Sequence, residues 1–139
     1  MARVCTRPFA PGDRDPLAVL TNTALNHRKV LGREAITGAG LEYEDVFGGV
    51  CELVRETFAL TESTLERKHK LAGFPRCASV LGFDVIPDQN RRLWLLEANA
   101  SPSVAAECAL DERLKGDVLG DYAAFVASGG RECGRFVEL

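Results

Sequence analysis

Val80-Leu81-Gly82-Phe83-Asp84-Val85-Ile86, then Pro87 to Arg92, then Leu93-Trp94-Leu95-Leu96-Glu97-Ala98-Asn99-Ala100-Ser101-Pro102 form two apolar runs flanking a polar interval. That is the pattern of a β-hairpin, since each run is too short for an independent helix. With a loop centred on Asn90 and Arg91, antiparallel pairing places Asp84 across from Glu97, with Asn99 two residues on and so on the face of Glu97. Opposed side chains in such a ladder have Cβ atoms roughly 4.5–5.5 Å apart, and like charges there destabilise the sheet. One resolution is a hard divalent cation with oxygen ligands, and Mg²⁺ is commonly held by one or two carboxylates plus substrate phosphates. The other leaves Asp84 in solvent and pairs Glu97 with Arg91 or Arg92. Spacing alone leaves both open.

The chain around this hairpin is 139 residues long with net charge −3, which implies at most one ordinary domain and no global attraction to nucleic acid or anionic membrane. Its five cysteines, Cys5, Cys51, Cys77, Cys108 and Cys133, are widely spread without a CxxC, which suits free thiols in a reducing compartment. No signal-peptide h-region or membrane-length apolar run is visible, so the expectation is a soluble cytoplasmic protein. Residues 3 to 9 suit a short strand, and residues 10 to 16 a loop. Arg28 to Gly40 reads as irregular.

Val46, Phe47, Val50, Leu53, Val54 and Phe58 have helical spacing over Glu42 to Leu60. Gly48 and Gly49 each cost such a helix roughly 1 kcal/mol relative to Ala, so packing must hold that turn. Thr61 to Lys70 extends this helix or starts another, ending in Arg67, Lys68, His69 and Lys70 before Gly73. Those charges either complement the helix dipole or receive an acidic peptide. Asp111 to Val126 carries a second helical stripe with Asp111 as a cap, and Arg131 to Leu139 reads as a frayed tail or an edge strand.

Gly82-Phe83-Asp84, with Trp94 to Ser103 a fixed distance on, resembles the tubulin tyrosine ligase-like family, in which GFD and LLEVNASPS strands form one end of an ATP-grasp site. Leu20-Thr21-Asn22 resembles the family's HLTN element, and Leu110 to Leu119 resembles its LDLKIKGxLL segment. The three elements recur in family order over residues 18–127. The implied fold class is α+β, the C-terminal portion of an ATP-grasp fold, with an antiparallel β-hairpin core packed by helices, and residues 1–139 forming a partial domain.

By that resemblance, Asp84, Glu97 and Asn99 would bind the Mg²⁺ of ATP. Thr21 and Asn22 would serve as catalytic and nucleotide-contacting residues, and Arg113 and Lys115 would lie near anionic substrate. The implied chemistry is ATP-dependent ligation of an amino acid to acidic tubulin tails through an acyl phosphate. Ala100-Ser101-Pro102-Ser103 resembles the glutamylase and glycylase branches more than tubulin tyrosine ligase itself, whose segment reads Gly-Ala-Pro. The amino acid expected is therefore glutamate or glycine, the other partner tubulin or microtubules, and the location cytoskeletal or ciliary.

The sequence also departs from the family pattern. Val19 replaces the His of HLTN, Ala98 the usual Val, and Cys5 the arginine of a VRT-like strand. The family's nucleotide-clamping lysines lie N-terminal to HLTN, about where this chain begins. That leaves an alternative: a non-catalytic remnant binding acidic tubulin tails through Arg67, Lys68, Lys70, Arg113 and Lys115. A third expectation is a chain unstable alone, since half a sheet leaves an edge and an apolar face uncovered.

Overall fold

A computed structural model describes residues 2–3, 10–12, 14, 29–30, 32–73 and 78–139. The chain forms two compact units, Met1–Val46 and Phe47–Leu139. In the first, β1 (Ala2–Arg3) pairs antiparallel with β2 (Lys29–Val30), followed by helix α1 (Gly32–Gly38). The expectation of irregular structure over Arg28 to Gly40 is thus corrected. Glu34 lies in the first turn of α1, where it complements the dipole. Its C-terminus closes as a Schellman motif, with Gly40 left-handed at φ 73° and the N–H groups of Gly40 and Leu41 donating to Thr37 and Ile36. Arg33 then lies over the Tyr43 ring at 4.0 Å and pairs with Glu44 at 2.8 Å.

Helix α2 (Tyr43–Ala72) is continuous through both expected helical stretches and ends at Gly73, which takes φ 70°. Within the second unit it packs on the hairpin of β3 (Gly82–Pro87) and β4 (Leu93–Asn99). Phe58 meets Phe83 with ring centroids 6.2 Å apart. A Cβ on Gly49 would lie 2.9 Å from Leu93 Cδ1, so this turn of the helix runs close against the end of the Leu93 side chain.

Helix α3 (Ala109–Ala127) is tied to the segment before β3 by the Tyr122 hydroxyl, which donates to the Ala78 carbonyl at 2.9 Å. Asp111 is not its cap. Cys108 takes the extended cap geometry, and Asp111 reaches back from the first turn to accept the Glu107 N–H at 3.3 Å.

The last residues are neither frayed tail nor strand. A Schellman closure at Gly129 and Gly130 turns the chain back along α3. Arg135 then binds Asp121 through Nε and Asp117 through Nη1, both at 2.7 Å.

Among the described residues no apolar side chain is fully buried, and Leu60, Leu71, Trp94 and Leu96 are exposed. Each sheet has two strands among the described residues, and an apolar surface stays uncovered on them. No described helix is long and apolar enough to cross a membrane.

Candidate metal and nucleotide site

The hairpin tip is built around Asp88. Its N–H donates to the Arg92 carbonyl and its carbonyl accepts from Arg91 N–H, both at 2.9 Å, while Arg91 itself is left-handed at φ 65°. This is a three-residue loop closed by a left-handed residue, a position at which glycine is usual. The Asp88 carboxylate accepts the backbone N–H groups of Asn90 and Arg92 and, through Oδ2, the Trp94 indole N–H at 3.0 Å. The indole donor holds the Asp88 carboxyl below its ordinary range, and the two backbone donors and the Arg92 charge add to this against desolvation. Arg92 lies over the Trp94 ring at 4.6 Å. Among the described residues, neither Arg91 nor Arg92 forms an ion pair with Glu97.

Above the tip the pairing runs Pro87 with Leu93, Ile86 with Trp94 and Val85 with Leu95. It then shifts by one residue, so that Asp84 opposes Glu97, Phe83 opposes Ala98 and Gly82 opposes Asn99. The uniform register expected from the sequence holds only for the open end, and Leu96 is the extra residue of a β-bulge. The consequence is chemical. In a regular strand Leu95 and Glu97 would share a face. The bulge sends Leu95 inward with Phe83, Val85 and Leu93, and leaves Glu97 outside with Asp84 and Asn99.

Asp84, Glu97 and Asn99 are all exposed on that outer face. The Asn99 Oδ1 accepts the Ser101 N–H at 2.8 Å, which fixes the amide and leaves one lone pair of that oxygen. Gly82, opposite Asn99, lies against Pro102, where an added Cβ would meet the proline Cβ at 3.2 Å. Two carboxylates and a fixed amide oxygen are hard donors suited to Mg²⁺. No group of three or more His, Cys, Asp or Glu is assembled for a metal among the described residues, so the set depends on the amide.

The other candidates from sequence lie elsewhere. Thr21 and Asn22 fall outside the described residues. Arg113 is exposed on α3, whereas Lys115 is mostly buried, its Nζ donating to the Ala105 carbonyl and standing 3.6 Å from Asp111 Oδ2. Asp111 is fully buried. Sequence reading missed both Asp88 and this use of Asp111. Asp-Gln-Asn between two apolar runs is a turn signal for the first, and no local signal marks the second.

A hairpin with paired acids at its open end, packed on a long helix, is an α+β arrangement. The match to the tubulin-tyrosine ligase family model covers residues 1–131, and the chain belongs to that family. It is similar to the mouse tubulin polyglutamylase TTLL6, with 24% identity over 99% of this chain and 21% of that protein. Against the human tubulin polyglutamylase TTLL13 it shows 26% identity over 91% of the chain and 19% of the relative, and against ttll-5 of Caenorhabditis elegans 29% over 87% and 20%. The chain thus spans about a fifth of the length of these relatives.

Proposed function

We propose that the chain carries the metal end of an ATP-dependent ligase site of the ATP-grasp type, which adds glutamate, or alternatively glycine, to acidic tubulin tails. The observation that supports this reading is the face-to-face placement of Asp84 and Glu97, made possible by the bulge at Leu96. A protein gains nothing in stability from like charges opposed on a solvent face. Asp84 and Glu97 would hold Mg²⁺ with the Asn99 oxygen, and the bound ion would supply Lewis-acid stabilisation of charge on ATP phosphates during phosphoryl transfer. The exposure of all three residues leaves room for phosphate oxygens beside the cation. Thr21 and Asn22 are proposed to contact nucleotide and acceptor, and Arg113 the anionic substrate. The relatives, named tubulin polyglutamylases, favour glutamate and a cytoskeletal location.

The test is a titration of the chain with Mn²⁺, followed by mass spectrometry of an acidic tail peptide incubated with chain, Mg-ATP and glutamate. The reading expects saturable Mn²⁺ binding lost in Asp84→Asn, and peptide masses rising by whole glutamyl units. Absence of both overturns it.

The remnant reading has one observation in its favour, the exposure of Arg67, Lys68 and Lys70 near the end of α2. Lys70 is partly spent on Glu66, 3.7 Å away. It expects salt-sensitive binding of the acidic peptide without nucleotide, abolished by Arg67→Glu with Lys68→Glu.

A further inference from the structure

The segment Ala100–Cys108 between β4 and α3 is fastened at both ends. At its start, Ser101 donates to Asn99, and Pro102 sits against Gly82. At its far end, the Ala105 carbonyl accepts from Lys115, and the Glu107 N–H donates to Asp111. Asp111 and Lys115 are one helical turn apart on α3, so the same pair grips two points of the segment. Burying a carboxylate is costly unless charge and hydrogen bonds offset it. Here Lys115 and the Glu107 N–H both face Oδ2 and supply part of that offset, so loosening the segment removes it.

We propose that Asp111 and Lys115 are positioning residues for the candidate metal site: they anchor the Ala100–Cys108 segment to α3, and thereby hold the turn in which Asn99 presents its oxygen. This rests on the reading of Asp84, Glu97 and Asn99 as metal ligands, and assigns Lys115 to the architecture of the site. Groups that orient a metal ligand typically change affinity 10–100-fold when removed.

The experiment compares the 139-residue chain with Lys115→Met, Lys115→Arg, Asp111→Asn and a control, Tyr122→Phe. The control removes the α3 hydrogen bond to Ala78, which lies outside the segment. Mn²⁺ affinity and amide hydrogen exchange at Ser101 are measured for each. Lys115→Met is expected to weaken Mn²⁺ binding at least about 10-fold and to accelerate exchange at Ser101. Lys115→Arg recovers most of both, and Tyr122→Phe changes neither even where it lowers the melting temperature. Asp111→Asn, which keeps an acceptor for Glu107, gives a smaller loss and serves if Lys115→Met does not fold. Unchanged Mn²⁺ affinity in Lys115→Met, or equal loss in Tyr122→Phe, overturns the proposal. If the unsubstituted chain binds no Mn²⁺, the metal reading fails and the positioning of a metal fails with it. Ser101 exchange then decides the anchoring alone: acceleration in Lys115→Met upholds it, and no change overturns it.

Discussion

Two acidic clusters of this molecule are handled in opposite ways. Asp111 is fully buried, and the chain supplies partners for it, Lys115 and the Glu107 N–H among them. Asp84 and Glu97 face each other in the open, on a hairpin whose Arg92 lies over Trp94 and whose Arg91 is exposed. A buried charge without compensation would unfold the site, so its counter-charge must be built in. An exposed pair is tolerated at a small cost, so the chain need not supply its counter-charge, and under the proposed function a bound cation would. The contrast separates an acid that holds structure from acids that are available for chemistry.

The buried cluster should break hardest. Asp111→Ala removes the partner of Lys115 and the acceptor of Glu107, and is expected to cost about 2–4 kcal/mol, at or below the range for breaking a buried pair because Lys115 keeps some solvent contact. Urea or thermal unfolding measures it. A loss below about 0.5 kcal/mol, the scale of a surface change, would show that the two clusters do not differ. Between the clusters lies Gly82 against Pro102. Gly82→Ala forces its new methyl onto the proline ring and is expected to cost about 1–3 kcal/mol, as overpacking does. It should weaken Mn²⁺ binding as well, because Gly82 opposes Asn99. A neutral Gly82→Ala would show that the segment gives way freely.

The exposed pair should respond with the reverse sign. Asp84→Asn relieves the like-charge contact and is expected to stabilise the metal-free chain by about 0.2–1 kcal/mol while abolishing Mn²⁺ binding. Destabilisation in the absence of metal would mean that Asp84 has a structural role and the contrast collapses.

How much of this was legible beforehand follows from the same physics. The hairpin and the opposition of Asp84 to Glu97 are readable because strand alternation and turn residues are local signals. The bulge is not, since Leu93-Trp94-Leu95-Leu96 is apolar in both phases and a shift of one residue leaves no mark. The long helix is readable from its stripe, and Gly49 becomes intelligible only once Leu93 is seen beside it. Asp111 reads as an ordinary cap because caps are local, whereas its burial depends on how Ala105 and Glu107 fold back, in a segment without periodicity. Thr21 and Asn22, equally prominent in sequence, lie outside the described residues, so geometry is given only to Asp84, Glu97 and Asn99 of the proposed nucleotide and metal set.

A third acid refines the comparison, being half-buried and paired with an exposed arginine of the chain. Asp121 receives both the Nε–H and the backbone N–H of Arg135, and Asp117 receives a second guanidinium nitrogen. The Arg135 side-chain bond holds the Asp121 carboxyl below its ordinary range, with the backbone bond and charge adding to it against desolvation. A folded-state value below the unfolded one means that the contribution is fully present above the ordinary carboxylate range and is lost as pH falls through the lowered value. Arg135 stays charged throughout, its own value pushed up by Asp121 and Asp117. The Arg135 Nε–H resonance, followed by NMR from neutrality downward, should therefore titrate with a midpoint below that of a free aspartate. In Asp121→Asn the transition should vanish and exchange at the Arg135 amide should rise. A midpoint at the free value would mean that Arg135 does not hold the tail to α3, and that this acid resembles Asp84 and Glu97 more than Asp111.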